Sequence, residues 1–373
     1  MLYNDLPLGI VICPGAAVFG KNLIADINNR LQIPIDNIEI PTKFTRFANG
    51  EVKAEIEQSI RCRDIYIIQD VYSKSPGEYS GNPAGYYSVN DHLMTLKVAV
   101  GAVASASAAR ITCVLPGYPY SRQHKRTGRE PLTASDIGYE LENMGVSRIA
   151  TLDIHSKEIE NRFTRMHLES FHASYSISKQ LVELIDIEQD DWMVVAPDTG
   201  AVSRATFFAS NFKRPMAILY KERDYSKASK DADSSNIKSM RLIGDVSGKD
   251  VFIADDMLDT GGTLINAMYK LKEEGAKKII IGISLPMFSG NAVEKFNDAY
   301  RNQMFYRIVG CNSINQSTDL LGQEWYCQAD TTSLFAESIV RMNNGASMSD
   351  LFDSSPRIQK LISGIKYRSI HTR

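Results

Sequence analysis

The chain has 373 residues, 43% of them hydrophobic and 23% charged, with a formal net charge of −2. That length predicts two domains with cores of their own, and the near-neutral balance supplies no global basic footprint for nucleic acid, so no nucleic-acid partner is expected. Five widely spaced cysteines without a C-x-x-C pair argue against a disulfide framework and a zinc site, and for a reducing, cytoplasmic setting. No apolar run approaches the roughly 18 residues of a membrane span, and Met1–Asp5 begin no basic-then-apolar leader, so no membrane partner is expected.

Taken in chain order, strand-like runs fall at Ile65–Ile68, Ile111–Leu115, Ile149–Leu152, Met193–Ala196, Ala217–Tyr220, Val251–Ala254 and Ile279–Ile283. Their near-continuous hydrophobicity is what strands covered on both faces need. Helical patterns fall between them at Leu93–Ala109, Thr133–Met144 and Thr263–Glu274, the last stopping before Gly275. This alternation predicts an α/β protein of two similar domains, each a mainly parallel sheet flanked by helices. The expected divisions are an N-terminal domain over 1–165, a C-terminal domain over 166–352 and an appended tail over 353–373. The stretch Tyr72–Asn90, dense in Ser, Gly, Pro, Asn and Tyr, is expected to be irregular.

The strongest chemical signal is Val251-Phe-Ile-Ala-Asp-Asp-Met-Leu-Asp-Thr-Gly-Gly-Thr263. A buried strand ends in Asp255 and Asp256, turns through Asp259, Thr260, Gly261 and Gly262, and opens a helix at Thr263. Backbone N–H groups at such a helix start face an incoming anion. The glycines permit a tight turn and close approach, and the threonine hydroxyls add donors. Asp255 and Asp256 stand where vicinal sugar hydroxyls can donate to carboxylates. A plain turn with an Asp cap needs neither two leading acids nor two threonines. Two rival nucleotide motifs fail: Gly244–Lys249 is too short for a P-loop and precedes a strand, and no G-x-G-x-x-G occurs.

These thirteen residues resemble the phosphoribosyl pyrophosphate-binding signature shared by type I phosphoribosyltransferases and the ribose-phosphate pyrophosphokinases. The rest of the chain resembles the pyrophosphokinases, over about residues 10–352 and with the motifs in the family's order. Phe47-Ala-Asn-Gly-Glu51, then Arg61–Gln69, is similar to that family's first block. The resemblance implies that Phe47, Asn49 and Glu51 receive the adenine of ATP, in many members from a neighbouring subunit. Pro119–Arg126 with Arg129-Glu-Pro131 is similar to the ATP loop, which makes Arg122, Gln123, Lys125 and Arg126 triphosphate ligands. His124 stands there where an Asp is common, in a slightly shorter loop.

Asp153-Ile-His155 matches the family's Asp-Leu-His, so His155 resembles a ligand of the Mg2+ bound to ATP. Pro197-Asp198-Thr-Gly-Ala201 is similar to the pyrophosphate loop, with Asp198 holding metal or ribose 5-phosphate and Ala201 replacing a usual glycine. Lys221-Glu-Arg223, after the strand Ala217–Tyr220, resembles the catalytic loop, and the implied catalytic cations are Lys221 and Arg223. No side chain identifies itself as a general base. Family members take ATP and ribose 5-phosphate and assemble as dimer-based homo-oligomers up to hexamers, with a type I phosphoribosyltransferase-like fold. Many are activated by phosphate at a site using a Ser and a Gln after Asp-Leu-His. Lys157 and Glu160 occupy those positions here, while Ser347 and Ser349 match the other side. The alternatives are a phosphoribosyltransferase, which needs neither Phe47–Glu51 nor Arg122–Arg129, and a non-catalytic synthetase-associated subunit.

Overall fold

The computed structural model describes residues 6–31, 38–74, 79–81, 87–223 and 237–371, with the side chains of 221–223, 237–239 and 366–371 outside that description. The chain runs β1 (Leu8–Ile12), α1 (Ala17–Leu31), β2 (Thr42–Arg46), β3 (Val52–Ile56), β4 (Asp64–Ile68), β5 (Ser80–Gly81), α2 (Val89–Ser105), β6 (Arg110–Leu115), α3 (Thr133–Asn143), β7 (Arg148–Leu152), β8 (His167–Phe171) and α4 (Ser174–Leu184). It continues as β9 (Trp192–Ala196), α5 (Val202–Phe212), β10 (Met216–Arg223), β11 (Ile237–Ile243), β12 (Asp250–Leu258), α6 (Gly262–Glu273), β13 (Ile279–Pro286) and α7 (Ala292–Arg301). The last elements are β14 (Arg307–Cys311), α8 (Thr318–Leu321), β15 (Tyr326–Ala329), α9 (Thr332–Asn344), α10 (Ser349–Phe352) and α11 (Ser355–His371). No helix among the described residues is long and apolar enough to cross a membrane.

The chain forms two compact units, and the α/β class expected from the apolar runs is what both show. The first holds residues 1–173, 312–317 and 330–353, and the second 174–311, 318–329 and 354–373. This division differs from the expected 1–165, 166–352 and 353–373. The first sheet, in the order β1-β4-β6-β7-β8 and parallel throughout, does not close until β8 pairs with β7, which carries the first unit past residue 165. Helix α9 then returns to this unit, where Phe335 packs edge-on against Phe19 and Phe171. The expected tail is the helix α11, which packs on α4 and α5 in the second unit.

The second unit carries the order β11-β10-β9-β12-β13-β14-β15, parallel except for the β10–β11 pair. Strands β9 and β13 are buried along their whole length, as their apolar runs predicted. From β9 the chain moves outward on one side to β10 and later returns to add β12 on the other. The gap between β9 and β12 is therefore a topological switch point, where the loops after two adjacent parallel strands part and leave a crevice at the carboxyl ends. The first sheet adds its strands in sequential order and has no such point.

Tyr72–Asn90 is not wholly irregular. Ser80–Gly81 pair parallel with β2, and the Ser80 hydroxyl donates to the Phe44 carbonyl at 2.9 Å. Helix α2 begins at Val89, four residues before the expected Leu93. Its start is set by a capping box in which Ser88 and Asp91 satisfy each other's backbone N–H groups.

Candidate functional site

The second unit's loops gather at the switch point. Strand β12 does not end in Asp255 and Asp256, as expected, but continues to Leu258 because β13 pairs with it as far as Leu258↔Pro286. On its other edge β9 pairs only with Asp250–Ile253. Asp255 and Asp256 therefore lie on a strand held on one side and open on the other.

Burial drives the Asp255 carboxyl well above the usual carboxylate range, and the carboxylates of Asp256 and Asp198 push it further, while the Arg204 guanidinium opposes them. Arg204 reaches Asp256 at 4.0 Å. Carboxylates crowded in this way favour whatever brings hydroxyl donors or positive charge. Arg204 was not among the expected residues. Its signal was a cation in the first turn of α5, where the helix dipole favours an anion.

Beyond β12 the chain enters the turn 259–261. Gly261 has φ +77°, the left-handed region, and caps α6 without a side-chain bond. The first intrahelical bond is donated by the Ile265 N–H to the Gly261 carbonyl at 2.9 Å. N–H groups of the preceding first turn have no acceptor within a helix. A Cβ on Gly262 would meet nothing within 4 Å, so an anion could approach the backbone there. The turn is held by the Ser289 N–H donating to the Asp259 carbonyl at 3.0 Å, and the Phe296 ring lies close against Gly261.

Asp198 caps the turn after β9, its Oδ1 accepting from the Gly200 and Ala201 N–H groups at 3.0 and 3.2 Å. Lys221 and Arg223 do not follow a strand, as expected, but lie within β10. The antiparallel partner β11 extends β10, opposing Lys221 to Met240 and Arg223 to Ile237 across an irregularity. The side chains of both cations, and residues 224–236 of the expected catalytic loop, lie outside the described residues.

In the first unit, Phe47, Asn49 and Glu51 occupy the tip of the β2–β3 hairpin. The Phe47 N–H donates to the Glu51 carbonyl and the Gly50 N–H to the Phe47 carbonyl, both at 2.9 Å, while Asn49 Oδ1 accepts the Glu51 N–H at 3.1 Å. This closed turn leaves Phe47 47% exposed, an aromatic residue on a fixed backbone. Behind it, Arg46 lies over the Tyr87 ring at 4.3 Å and pairs with Asp91 at 2.9 Å.

Arg122, Gln123, Lys125 and Arg126 are all exposed in the loop between β6 and α3. Two bonds to Glu130 Oε1, from the Thr127 N–H and hydroxyl, tie the loop to itself. Asp153 is buried, accepting from the Ala173 N–H at 3.1 Å and sharing a 2.8 Å bond with His172 Nδ1. It braces the strand end and leaves His155 exposed beyond it, its ring 5.3 Å from that of His124. Sequence reasoning had no signal for the His172 brace, which joins positions 19 residues apart.

Among the described residues no three His, Cys, Asp or Glu side chains form a ready-made metal cage. A hard cation such as Mg2+ needs none, since it keeps waters and binds through one or two protein ligands plus substrate phosphates. The exposed His155 imidazole in the first unit and the Asp198 carboxylate in the second are donors of the kind such an ion accepts.

A family model described as the N-terminal domain of ribose phosphate pyrophosphokinase matches residues 16–145, and a phosphoribosyl transferase domain model matches 166–321. Ribose-phosphate pyrophosphokinase 4 of Saccharomyces cerevisiae is 32% identical over 336 residues, 90% of this chain and 93% of the relative. The ribose-phosphate pyrophosphokinase of Vibrio cholerae is 32% identical over 347 residues, 91% of this chain and 100% of its own. Among solved structures, the phosphoribosylpyrophosphate synthetase of Mycobacterium smegmatis aligns with a TM-score of 0.75 at 25% identity, covering 91% of this chain and 100% of that one.

Proposed function

The chain belongs to the ribose-phosphate pyrophosphokinase family, and from that membership we propose how its residues carry out the reaction. It is an enzyme that transfers the pyrophosphoryl group of ATP to the C1 hydroxyl of ribose 5-phosphate, giving phosphoribosyl pyrophosphate and AMP. The observation that carries this is the co-linear match of both modules over nine-tenths of the chain, which a phosphoribosyltransferase would not need.

In this scheme the adenine stacks on Phe47, with Asn49 and Glu51 at its edge. Arg122, Gln123, Lys125 and Arg126 hold the triphosphate, guanidinium groups pairing with two oxygens at once. The backbone and hydroxyls of Asp259, Thr260, Gly261, Gly262 and Thr263 take the 5-phosphate, and Asp255, Asp256 and Asp198 take ribose hydroxyls or metal. A 5-phosphate fixed on a rigid helix start holds the C1 hydroxyl in line with the bond that breaks. Lys221 and Arg223 neutralise the charge that develops on the phosphoryl oxygens. The exposed His155 imidazole would be a ligand of the Mg2+ bound to ATP, which would supply further polarisation of those oxygens. The enzyme acts in the cytoplasm as a dimer-based homo-oligomer, up to a hexamer, in which the Phe47 hairpin serves a neighbouring subunit.

Nucleotide products measured with and without ribose 5-phosphate test this. AMP release dependent on ribose 5-phosphate and a divalent cation is expected. ADP as product would mean transfer of a single phosphoryl group. Absence of either product, with ATP still bound, would identify the chain as a non-catalytic associated subunit.

A further inference from the structure

The stretch Tyr72–Asn90 builds onto the hairpin that carries Phe47, Asn49 and Glu51. A two-stranded hairpin is marginal in water by itself and is held by a third strand or by packing on a helix. Here β2 is the middle strand of the order β3-β2-β5, because Ser80–Gly81 pair with Thr45 and Arg46 on the edge that β3 leaves open. The Thr45 and Ser80 hydroxyls share a hydrogen bond at 3.1 Å. Tyr79 and Tyr87, on either side of β5 in sequence, are buried in the first unit's core, and the Tyr79 hydroxyl shares a 2.9 Å bond with that of Thr95 in α2.

Arg46 is where this stretch meets the hairpin tip. It is the last residue of β2, half-buried, and directly precedes Phe47. Its guanidinium lies 4.3 Å over the Tyr87 ring, and its Nη2 donates to Asp91 Oδ1 at 2.9 Å. Its Nη1 is buried with no acceptor among the described residues, which leaves the Tyr87 face and the Asp91 carboxylate to compensate the charge. Asp91 is itself fixed, since its Oδ2 accepts from the Ser88 N–H and hydroxyl at 2.9 and 2.7 Å. A planar guanidinium can stack on a ring and donate to a carboxylate at once, which an ammonium cannot.

We propose that β5, Tyr87 and Asp91 form a brace for the hairpin, and that Arg46, held between Tyr87 and Asp91, is the positioning residue that fixes Phe47 for the adenine. This rests on the reading that the hairpin takes the base. Binding groups at a loop tip are precise only when the residues behind them are locked by packing and hydrogen bonds of their own. Arg46 acts through Phe47 and does not itself touch the nucleotide. Its loss should therefore weaken the base's share of ATP binding and leave the share of the phosphates intact.

The test is calorimetric titration of the full-length chain, in the presence of Mg2+, with ATP and with inorganic tripolyphosphate, which carries the phosphates without a base. Wild type is compared with Arg46→Met, Arg46→Lys, Tyr87→Leu and Phe47→Ala, with circular dichroism confirming that each folds. Arg46→Met and Tyr87→Leu should each raise the Kd for ATP on the order of tenfold, as misplacing a binding group does, and Arg46→Lys should raise it less. The Kd for tripolyphosphate should stay at the wild-type value. In steady-state assays the KM for ATP should rise while kcat at saturating ATP and the KM for ribose 5-phosphate hold, a split that a general loss of structure would not give. Wild-type ATP affinity in both Arg46→Met and Tyr87→Leu, with ATP binding weakened in Phe47→Ala, would overturn the brace and leave the hairpin's role in binding the base standing. Equal loss of ATP and tripolyphosphate in the Arg46 variants would also overturn it. Wild-type ATP affinity in Phe47→Ala would instead remove the base from the hairpin, and the brace with it.

Discussion

Replacing Gly261 by Ala tests whether the turn before α6 is built for a phosphate or only for the fold. Two costs follow from the structure. Residue 261 has φ +77°, where an L side chain costs about 1–2 kcal/mol. The new Cβ would also press into the edge of the Phe296 ring, with Cζ at 3.0 Å. Phe296 is fully buried among Phe288, Phe305 and Trp325 and cannot withdraw, so overpacking adds about 1–3 kcal/mol. The sum is roughly 2–5 kcal/mol, and at about 2–4 °C per kcal/mol for a unit of this size it lowers the Tm by on the order of 10 °C.

Gly262→Ala is the control, since its Cβ meets nothing within 4 Å and the residue lies in the helix. It should leave the Tm within a degree or two, yet place a methyl group where the 5-phosphate approaches. Its KM for ribose 5-phosphate should rise about tenfold or more, the cost of roughly 1.4 kcal/mol of binding, with the KM for ATP nearly unchanged. Thermal unfolding followed by calorimetry, with steady-state kinetics in both substrates, separates the two effects. A Gly261→Ala protein that melts like wild type would refute the strain reasoning, and an unaltered KM in Gly262→Ala would remove the phosphate from this turn.

Lys221→Ala should lower kcat by on the order of 10³ with little change in the KM for ribose 5-phosphate, as expected for loss of a cation acting on the transition state; near-normal kcat in steady-state assays would take Lys221 out of that role. Burial raises the Asp70 carboxyl to about 7, although the Asn315 and Tyr72 N–H groups donate to it at 2.7 and 2.9 Å. The folded state therefore holds this proton between the unfolded value near 4 and about 7, so the group's contribution to stability falls as pH rises through that window, by up to about 4 kcal/mol, and is level above it. Denaturant unfolding of wild type and Asp70→Asn across pH 4.5–8 should show the wild type losing stability relative to the variant; a difference constant with pH would show that Asp70 is ionised throughout. Inorganic phosphate should activate weakly or not at all, because exposed Lys157 and Glu160 follow the Asp153–His155 segment, although Ser347 and Ser349 still lie 3.2 Å apart. Strong activation in a phosphate titration at fixed Mg2+, abolished by changing Lys157, would show a rebuilt site.

What the sequence determined by itself is what short-range physics controls. Continuous apolar runs such as Ile65–Ile68 and Met193–Ala196 are of strand length and have the pattern of strands covered on both faces, and their alternation with helical patterns points to a parallel α/β design. The turn Asp259–Thr263 was legible for the same reason, since two glycines between threonines at a strand–helix junction specify a backbone shape over five residues. Only the tertiary structure decided which distant residues share a space. Strand β12 runs through Asp255 and Asp256 because β13 pairs with it there, and no local pattern encodes a partner some thirty residues on. Arg204 reaches Asp256 only because β9 and β12 are neighbours at the switch point. His172 braces Asp153, and His124 lies against His155, through loops whose paths depend on packing rather than on propensity. The return of α9 to the first unit, and of α11 to the second, likewise follows from which apolar face each helix can cover once the sheets exist.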